Sequence, residues 1–350
     1  MTKPPLIVQV LWTLGRAGAE RMVFDLCSRL PEYGYRTCVL APGGGGEMEE
    51  DFRHGGIPFL IGPKTGHRGY TYQFLRKAIR QLGPAVWHTH LGGDIWGGLA
   101  AWQNKTHPWI TTAHNTDHDD RWALHQARGL AFRRADHVIC VSRTVQNYLQ
   151  QEFGVKEDRT MVIRHGVDLS LCPQRGDQLF RDVPHIISVG RLTRQKGHGT
   201  LLEALAMVKR PWRLTIIGQG PEESPLRRQA ADLGILPRIQ FLGSVTDIPR
   251  RLSEADLFCF PSRWEGQGLV LLEAMACGIP VIASDLPVFR ETFDEHSMQF
   301  AEPGNSSLWG RGILHTLARP QEALDRARVA RQIVSEHFRL AAMVGAYAAL

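Results

Sequence analysis

The sequence predicts an α/β protein of two parallel-sheet domains, and three observations carry that prediction. Short apolar, β-branched runs alternate with helical patterns along the whole chain, the signature of successive strand–helix units around a parallel sheet. The 350 residues suit two domains, each large enough to bury its own core. From about Leu169 to Val183 the chain turns polar and irregular, with Pro173 and Gly176 inside the stretch and Pro184 after it, as a connection would be.

Taken in order, strands are predicted in the first half at Leu6–Leu11, Arg36–Leu40, Ile57–Leu60, Val86–Thr89, Ile110–Ala113, His137–Val141 and Met161–Ile163. In the second half they fall at His185–Val189, Arg213–Ile217, Ile239–Leu242, Leu257–Phe260, Pro280–Ala283 and Met298–Phe300. The domains implied are 1–170 and 184–338, joined by a linker at 171–183, with 339–350 as a terminal apolar helix.

The composition is that of an ordinary globular protein, 43% hydrophobic and 22% charged. No run of eighteen apolar residues occurs and the first residues carry no secretory apolar segment, so the chain reads as intracellular and not membrane-spanning. Six cysteines without a CxxC pair read as reduced core residues. The net charge of +6 is spread evenly, with 20 basic against 16 acidic residues up to residue 170 and 21 against 19 beyond it. That distribution argues against a nucleic-acid surface and suits phosphate-bearing ligands or an anionic membrane.

The most informative segment runs from Phe258 to Asp285. A strand ends at Pro261, a loop holds Glu265 just before glycines Gly266 and Gly268, and a helix is predicted from about Gly268 until Gly278 and Pro280 stop it. The free amides of such a helix start attract anions. Glu273 follows Glu265 by eight positions. On one continuous helix that spacing is about 12 Å, beyond the roughly 5 to 9.5 Å of a hydrolytic carboxylate pair. The two acids therefore suit two parts of one long ligand.

Three further glycine loops follow strands. Gly190, Arg191 and Leu192 lead through Arg194 and Lys196 to Gly197, before a helix beginning near His198. Leu14, Gly15, Arg16, Ala17 and Gly18 follow the first strand without the GxGxxG spacing of dinucleotide sites. Gly218, Gln219, Gly220 and Pro221 form the third loop, which a plain turn explains equally well. Such loops open at the C-terminal edge of a parallel sheet, where ligands of open α/β sheets bind.

In the first half, His88, His90 and His114 end neighbouring strands, so three imidazoles converge. Three such imidazoles suggest zinc, with Asp117, His118, Asp119 and Asp120 as a carboxylate supplement, but no known zinc spacing is present. Asp117 and Asp119 also spell a DxD in a polar loop. A helix predicted from Asp119 to Asp136 puts Arg121, His125, Arg128 and Phe132 along one face, with Trp122 and Leu130 beside it. That face is a candidate for contact with anionic lipid, against the simpler reading of a solvated helix.

With these residues in hand, the segment around Glu265 and Glu273 resembles the signature of retaining glycosyltransferases of family 4 (GT4), two glutamates separated by seven residues. The resemblance extends over nearly the whole chain. It implies the GT-B fold, two Rossmann-like domains facing a central cleft, with the acceptor on the N-terminal side and the nucleotide-sugar donor on the C-terminal side. It implies a metal-independent hexosyl transfer from a UDP- or GDP-sugar to a saccharide or lipid-linked hydroxyl, in cell-envelope or exopolysaccharide assembly. No cofactor is implied beyond the nucleotide-sugar co-substrate, and the setting is cytoplasmic, at the inner face of the cell membrane where acceptors are lipid-linked.

Residue by residue, the resemblance assigns Arg191 and Lys196 to the donor diphosphate, aided by amides at Gly15, Gly18, Gly268 and Leu269. Glu265 and Gln267 fall to the sugar, Glu273 to the ribose, and Gly218, Gly220 and Val245 to the nucleotide. His114 falls near the donor sugar and the transferring centre, with His90 on the acceptor side. The terminal helix would cross back onto the first domain. Two departures stand out: His165 occupies the place of a usual asparagine before Gly166, Val167 and Asp168, and Gln267 the place of a frequent phenylalanine. Alternatives on the same scaffold are a sugar-nucleotide epimerase, a phosphorylase, or a catalytically silent sugar-nucleotide binding module.

Overall fold

A computed structural model of the chain describes residues 4–63, 68–106, 108–116, 122–176 and 178–350. The chain forms two compact units, Met1–His165 with Ala342–Leu350, and Gly166–Ala341.

In the first unit, strands β1 to β7 run Leu6–Val10, Arg36–Ala41, Phe59–Ile61, Val86–His90, Trp109–Ala113, His137–Cys140 and Thr160–Val162. They form one sheet in the order β3-β2-β1-β4-β5-β6-β7, every pair parallel. In the second unit, β8 to β13 run His185–Val189, Arg213–Ile217, Ile239–Phe241, Leu257–Phe260, Val281–Ser284 and Gln299–Ala301. Their order is β10-β9-β8-β11-β12-β13, again parallel throughout. Central strands such as Leu6–Val10 and Leu257–Phe260 are buried along their whole length, which is why they read as near-continuous apolar runs, Gln9 being the one polar residue of the two, and do not alternate.

Every predicted strand is present, displaced at its ends by up to two residues; β3, for instance, is Phe59–Ile61 and not Ile57–Leu60. In each sheet the order reverses beside the first strand, between β1 and β4 and between β8 and β11. Ligands of open α/β sheets bind at such a reversal, outside the C-terminal ends of the strands.

The stretch expected as a linker packs into the second unit. Arg175 is buried and donates from Nη2 to Asp256 at 3.2 Å and from Nε to the Ala255 carbonyl at 3.0 Å, and Arg181 reaches the same Asp256 at 2.9 Å. Its proline and glycine content conveyed irregularity; the ion pairs that anchor it join residues 81 and 75 positions apart.

At the other end, the helix Leu340–Ala348 brings Tyr347 into the first unit, where its hydroxyl lies 3.3 Å from Thr112 Oγ1 and contacts the Met22 sulfur. The Tyr35 hydroxyl donates to the carbonyl of Ala348 at 3.1 Å.

The face proposed for lipid points the other way. Arg121, with Asp117, His118, Asp119 and Asp120, lies outside the described residues, and the helix is described as Trp122–Arg134. On it, Arg128 Nε donates to buried Asp94 at 3.1 Å, His125 Nε2 is 3.0 Å from Glu152, and Phe132 is buried against Phe153. The stripe is therefore packed against the neighbouring helices Gly93–Gln103 and Arg143–Phe153. Trp122 and Leu130 beside it are exposed. A 3.6-residue period identifies a stripe without saying which side of the helix is wet.

Candidate active site

The second unit gathers most of the predicted residues on one edge. The loop after β8 and the loop after β11 lie on either side of the strand-order reversal, and they are stitched together. Arg263 N donates to Gln195 O at 2.7 Å, and Gln195 Nε2 donates to Trp264 O at 3.0 Å. Gly197 has φ +64°, and a Cβ there would lie 2.1 Å from the Pro261 carbonyl oxygen. Only glycine tolerates both that contact and that backbone.

Lys196 emerges from this junction. Its Nζ donates to Glu265 Oε1 at 2.5 Å, and Ser262 Oγ donates to the same oxygen at 2.7 Å. Lys196 also lies over the ring of Phe260, 5.1 Å from its centroid, a favourable seat for a cation. Glu265 and Gln267 are buried. Two residues assigned to different parts of the donor are thus one ion pair, a charged clasp between two loops. Arg191, at the opening of the first loop, is exposed.

Gly268 takes φ +80° and acts as N-cap of the helix Leu269–Ala276 without any side-chain cap. The amides of the first turn, Leu269 included, thus have no side chain closing them off. Glu273 lies partly buried on that helix. The third loop is shaped by packing: Cβ atoms at Gly218 and Gly220 would lie 2.0 Å from Gly190 O and 2.2 Å from Leu192 O. The amides of Gly190 and Leu192 donate to Ile217 O and Gln219 O, and Gly218 N donates to Gly243 O at 2.8 Å. These glycines bring the third loop against the cationic one, and Val245 packs on the core just beyond.

In the first unit, the loop after β1 precedes the helix Gly18–Arg29, whose N-cap Ala17 supplies no side-chain bond. The amide of Arg16, between Gly15 and Gly18, is already taken by Glu47 Oε2 at 3.0 Å. That leaves the start of the helix as the open part of the loop.

The histidines converge further than expected. Ring centroids follow one another from His88 to His90 at 4.1 Å, His90 to His114 at 5.3 Å and His114 to His165 at 5.5 Å. His165, marked in the sequence as a departure, extends the row. Nε2 of His88 is 2.8 Å from Thr112 Oγ1, and His90 lies between Gln9 Oε1 at 2.6 Å and His114 Nε2 at 3.0 Å. Burial pushes His88 down to about 3 and His165 to about 4, and burial with neighbouring imidazoles holds His90 and His114 well below the usual histidine range. All four are neutral at pH 7.

His90 was expected on the acceptor side. It is wholly buried with both ring nitrogens engaged, because β4 lies between β1 and β5 and its last side chain turns into the layer. Its neighbour His114 is partly exposed. Among the described residues no group of three His, Cys, Asp or Glu has the disposition of a metal site.

Sequence reasoning missed Ser262, Gln195, Glu47 and Gln9. Only Gln9 carried a signal, being the single polar residue of an otherwise apolar strand, LIVQV.

Two family profiles cover the chain between them. "Glycosyltransferase Family 4" matches residues 16–171 and "Glycosyl transferases group 1" matches 174–332. The glycogen synthase of Mycobacterium tuberculosis is 27% identical over 274 residues, 74% of this chain and 66% of its own length. The putative glycosyltransferase EpsF of Bacillus subtilis is 27% identical over 307 residues, 80% of this chain and 79% of its own. The chain thus spans just under two thirds of the glycogen synthase it matches. Anabaena Alr3699/HepE, solved in complex with UDP-glucose, superposes with a TM-score of 0.88 at 22% identity, covering 98% of both chains. No helix among the described residues is long and apolar enough to cross a membrane.

Proposed function

The chain belongs to the GT4 glycosyltransferases of GT-B fold, and on that premise we propose that it transfers a hexosyl unit, with retention, from a nucleoside-diphosphate sugar to a hydroxyl of a saccharide or lipid-linked acceptor in envelope or polysaccharide synthesis. The observation that carries the reading is the clasp of Lys196, Glu265 and Ser262 beside the uncapped helix start at Gly268.

Each part has a task in such a transfer. Arg191 and Lys196 offset negative charge that grows on the departing diphosphate, the kind of stabilisation that lowers a barrier because it strengthens in the transition state. The amides of Gly268 and Leu269 add the field of a helix N-terminus. Glu265 is an acceptor-only group while ionised, suited to fix donor-sugar hydroxyls, with Gln267 beside it. Glu273 accepts from the ribose hydroxyls. Gly218, Gly220 and Val245 line the nucleotide side, and the start of the helix at Gly18, with Gly15 before it, serves the phosphates. His114 meets the donor sugar. The acceptor's proton passes to the leaving phosphate oxygen, so Glu265 acts neither as base nor as nucleophile.

The relatives' names support both nucleotides: UDP-glucose was bound to Anabaena HepE, and a Mycolicibacterium smegmatis relative is named as GDP-mannose-dependent. The reaction needs no metal in this reading. A cytoplasmic site at the inner membrane face suits a lipid-linked acceptor, and exposed Trp122 and Leu130 are the side chains to meet the lipid.

The test is to screen UDP, GDP and their sugar conjugates by thermal shift, since a ligand of the native state raises its midpoint. Transfer is then assayed in Arg191→Ala, Lys196→Ala and Glu265→Ala with EDTA present. Each variant is expected to lose at least a hundredfold in kcat, about 2.7 kcal/mol of transition-state stabilisation. Undiminished turnover in all three removes the mechanism. Conversion of donor in the absence of acceptor, or a need for inorganic phosphate, points instead to an epimerase or a phosphorylase.

A further inference from the structure

The histidine row of the first unit has a direction. Gln9 Oε1 lies 2.6 Å from His90 Nε2, while Gln9 Nε2 is buried with no partner among the described residues; with the amide in this orientation His90 carries its proton on Nε2. His90 is neutral, being wholly buried with no carboxylate among its hydrogen-bond partners. A neutral imidazole has one N–H and one lone pair, which leaves His90 Nδ1 as an acceptor. The 3.0 Å contact from that atom to His114 Nε2 therefore requires the proton of His114 to be on Nε2. It follows that His114 Nδ1 is a bare lone pair, and it has no hydrogen-bond partner among the described residues.

We propose that Gln9 and His90 are positioning residues: a side-chain relay from β1 through β4 that fixes the tautomer of His114, so that its Nδ1 accepts a hydrogen bond from a hydroxyl of the donor sugar. The proposal rests on the reading that His114 meets that sugar. An imidazole free to choose its tautomer would offer an N–H to the hydroxyl for part of the time, and the bond would then depend on the hydroxyl accepting it. The relay removes that choice at the level of the backbone, because Gln9, one residue before the end of β1, and His90, the last of β4, sit on adjacent parallel strands, with Gln9 directly opposite His88 in the register. The polar residue at position 9 of a fully buried strand has no packing advantage over valine or leucine, and the relay supplies its purpose. Leu91, immediately after His90, has φ +29°, and backbone strain of this kind is held where the surroundings over-determine a side chain.

The relay is tested with protein labelled with ¹⁵N at histidine, the His114 signals being identified by their absence in His114→Gln. Ring-nitrogen shifts and couplings are expected to show Nε2 protonated and Nδ1 bare in the wild type, and an average of both forms in Gln9→Leu. His90→Phe removes the same constraint and serves where Gln9→Leu fails to fold. A protonated Nδ1 in the wild type overturns the relay, as does the wild-type pattern persisting in a folded variant.

The second readout is release of UDP from UDP-glucose and of GDP from GDP-mannose, with water as acceptor. Loss of one well-placed hydrogen bond should lower kcat/KM about tenfold in Gln9→Leu. A scrambled tautomer with kcat/KM untouched overturns the positioning role. If the wild type consumes neither nucleotide sugar, the proposed reaction fails by itself, and the tautomer pattern still decides the relay.

Discussion

Replacing Lys196 by methionine keeps most of its apolar stem and deletes its charge. The Glu265 carboxylate is then left in the fold with one remaining donor, Ser262 Oγ at 2.7 Å. The side chains of Lys196 and Glu265 are 16% and 6% exposed, so water reaches the carboxylate poorly and the pair is close to a buried one. Removing one partner of a buried ion pair costs about 3–5 kcal/mol, chiefly because the other charge is stranded, and the Ser262 bond puts the expectation at the lower end, about 3 kcal/mol. For a domain of this size, 1 kcal/mol moves the midpoint by about 2–4 °C, which gives a fall of roughly 6–12 °C. Glu265→Gln leaves the Lys196 ammonium without its counter-charge, but the new amide oxygen can still accept from it and the lysine is the more exposed partner, so the loss should be smaller, about 1–2 kcal/mol. The double variant Lys196→Met with Glu265→Gln should be more stable than Lys196→Met alone, a coupling that a double-mutant cycle reads directly. Calorimetry or urea unfolding of the four proteins decides the matter. A Lys196→Met protein as stable as the wild type, or a double variant whose losses simply add, refutes the clasp.

Two further expectations follow from the same geometry. Gly197→Ala places a Cβ 2.1 Å from the Pro261 oxygen at φ +64°, so the two stitched loops must part; the variant should lose several kcal/mol, and a melting midpoint within about a degree of the wild type would contradict the structure. The histidine row should make the fold acid-sensitive. His88 and His165 titrate near 3 and 4 in the folded chain but near 6.5 when unfolded, so between about pH 6.5 and 4 the unfolded state binds more protons. Their stabilisation is whole above pH 6.5 and is lost as pH falls, at up to about 1.4 kcal/mol per pH unit for each residue. Urea unfolding at pH 5, 6 and 7.5 should show that slope reduced by one histidine's share in His88→Gln; an unchanged slope would mean His88 is not held neutral.

Much of the site was legible because its parts are local in sequence. Glu265, Gly268 and Leu269 lie within five residues of one another, and the strand end, the loop and the start of the helix Leu269–Ala276 are all written in that interval. The cationic loop was legible for the same reason, ending at a left-handed glycine before a helix. What the loops do to one another was not. Lys196 and Glu265 are 69 positions apart, and nothing in either segment announces the other. Gly218 and Gly220 looked like an ordinary turn because the carbonyls they make room for, at Gly190 and Leu192, belong to another loop.

The sequence by itself determined which segments become strands and helices, since the 2- and 3.6-residue periods and the Gly and Pro stops are properties of neighbouring residues. It also determined the family, whose motifs are short contiguous runs. Tertiary structure alone decided the partners: that β8 lies against β11, so that a lysine meets a glutamate, and that β1 lies against β4, so that Gln9 meets His90. It likewise decided that Arg128 turns inward to Asp94 while Trp122 faces out. Those outcomes depend on strand order and on which helix face meets the sheet, and both are settled when the whole core is buried, not residue by residue along the chain.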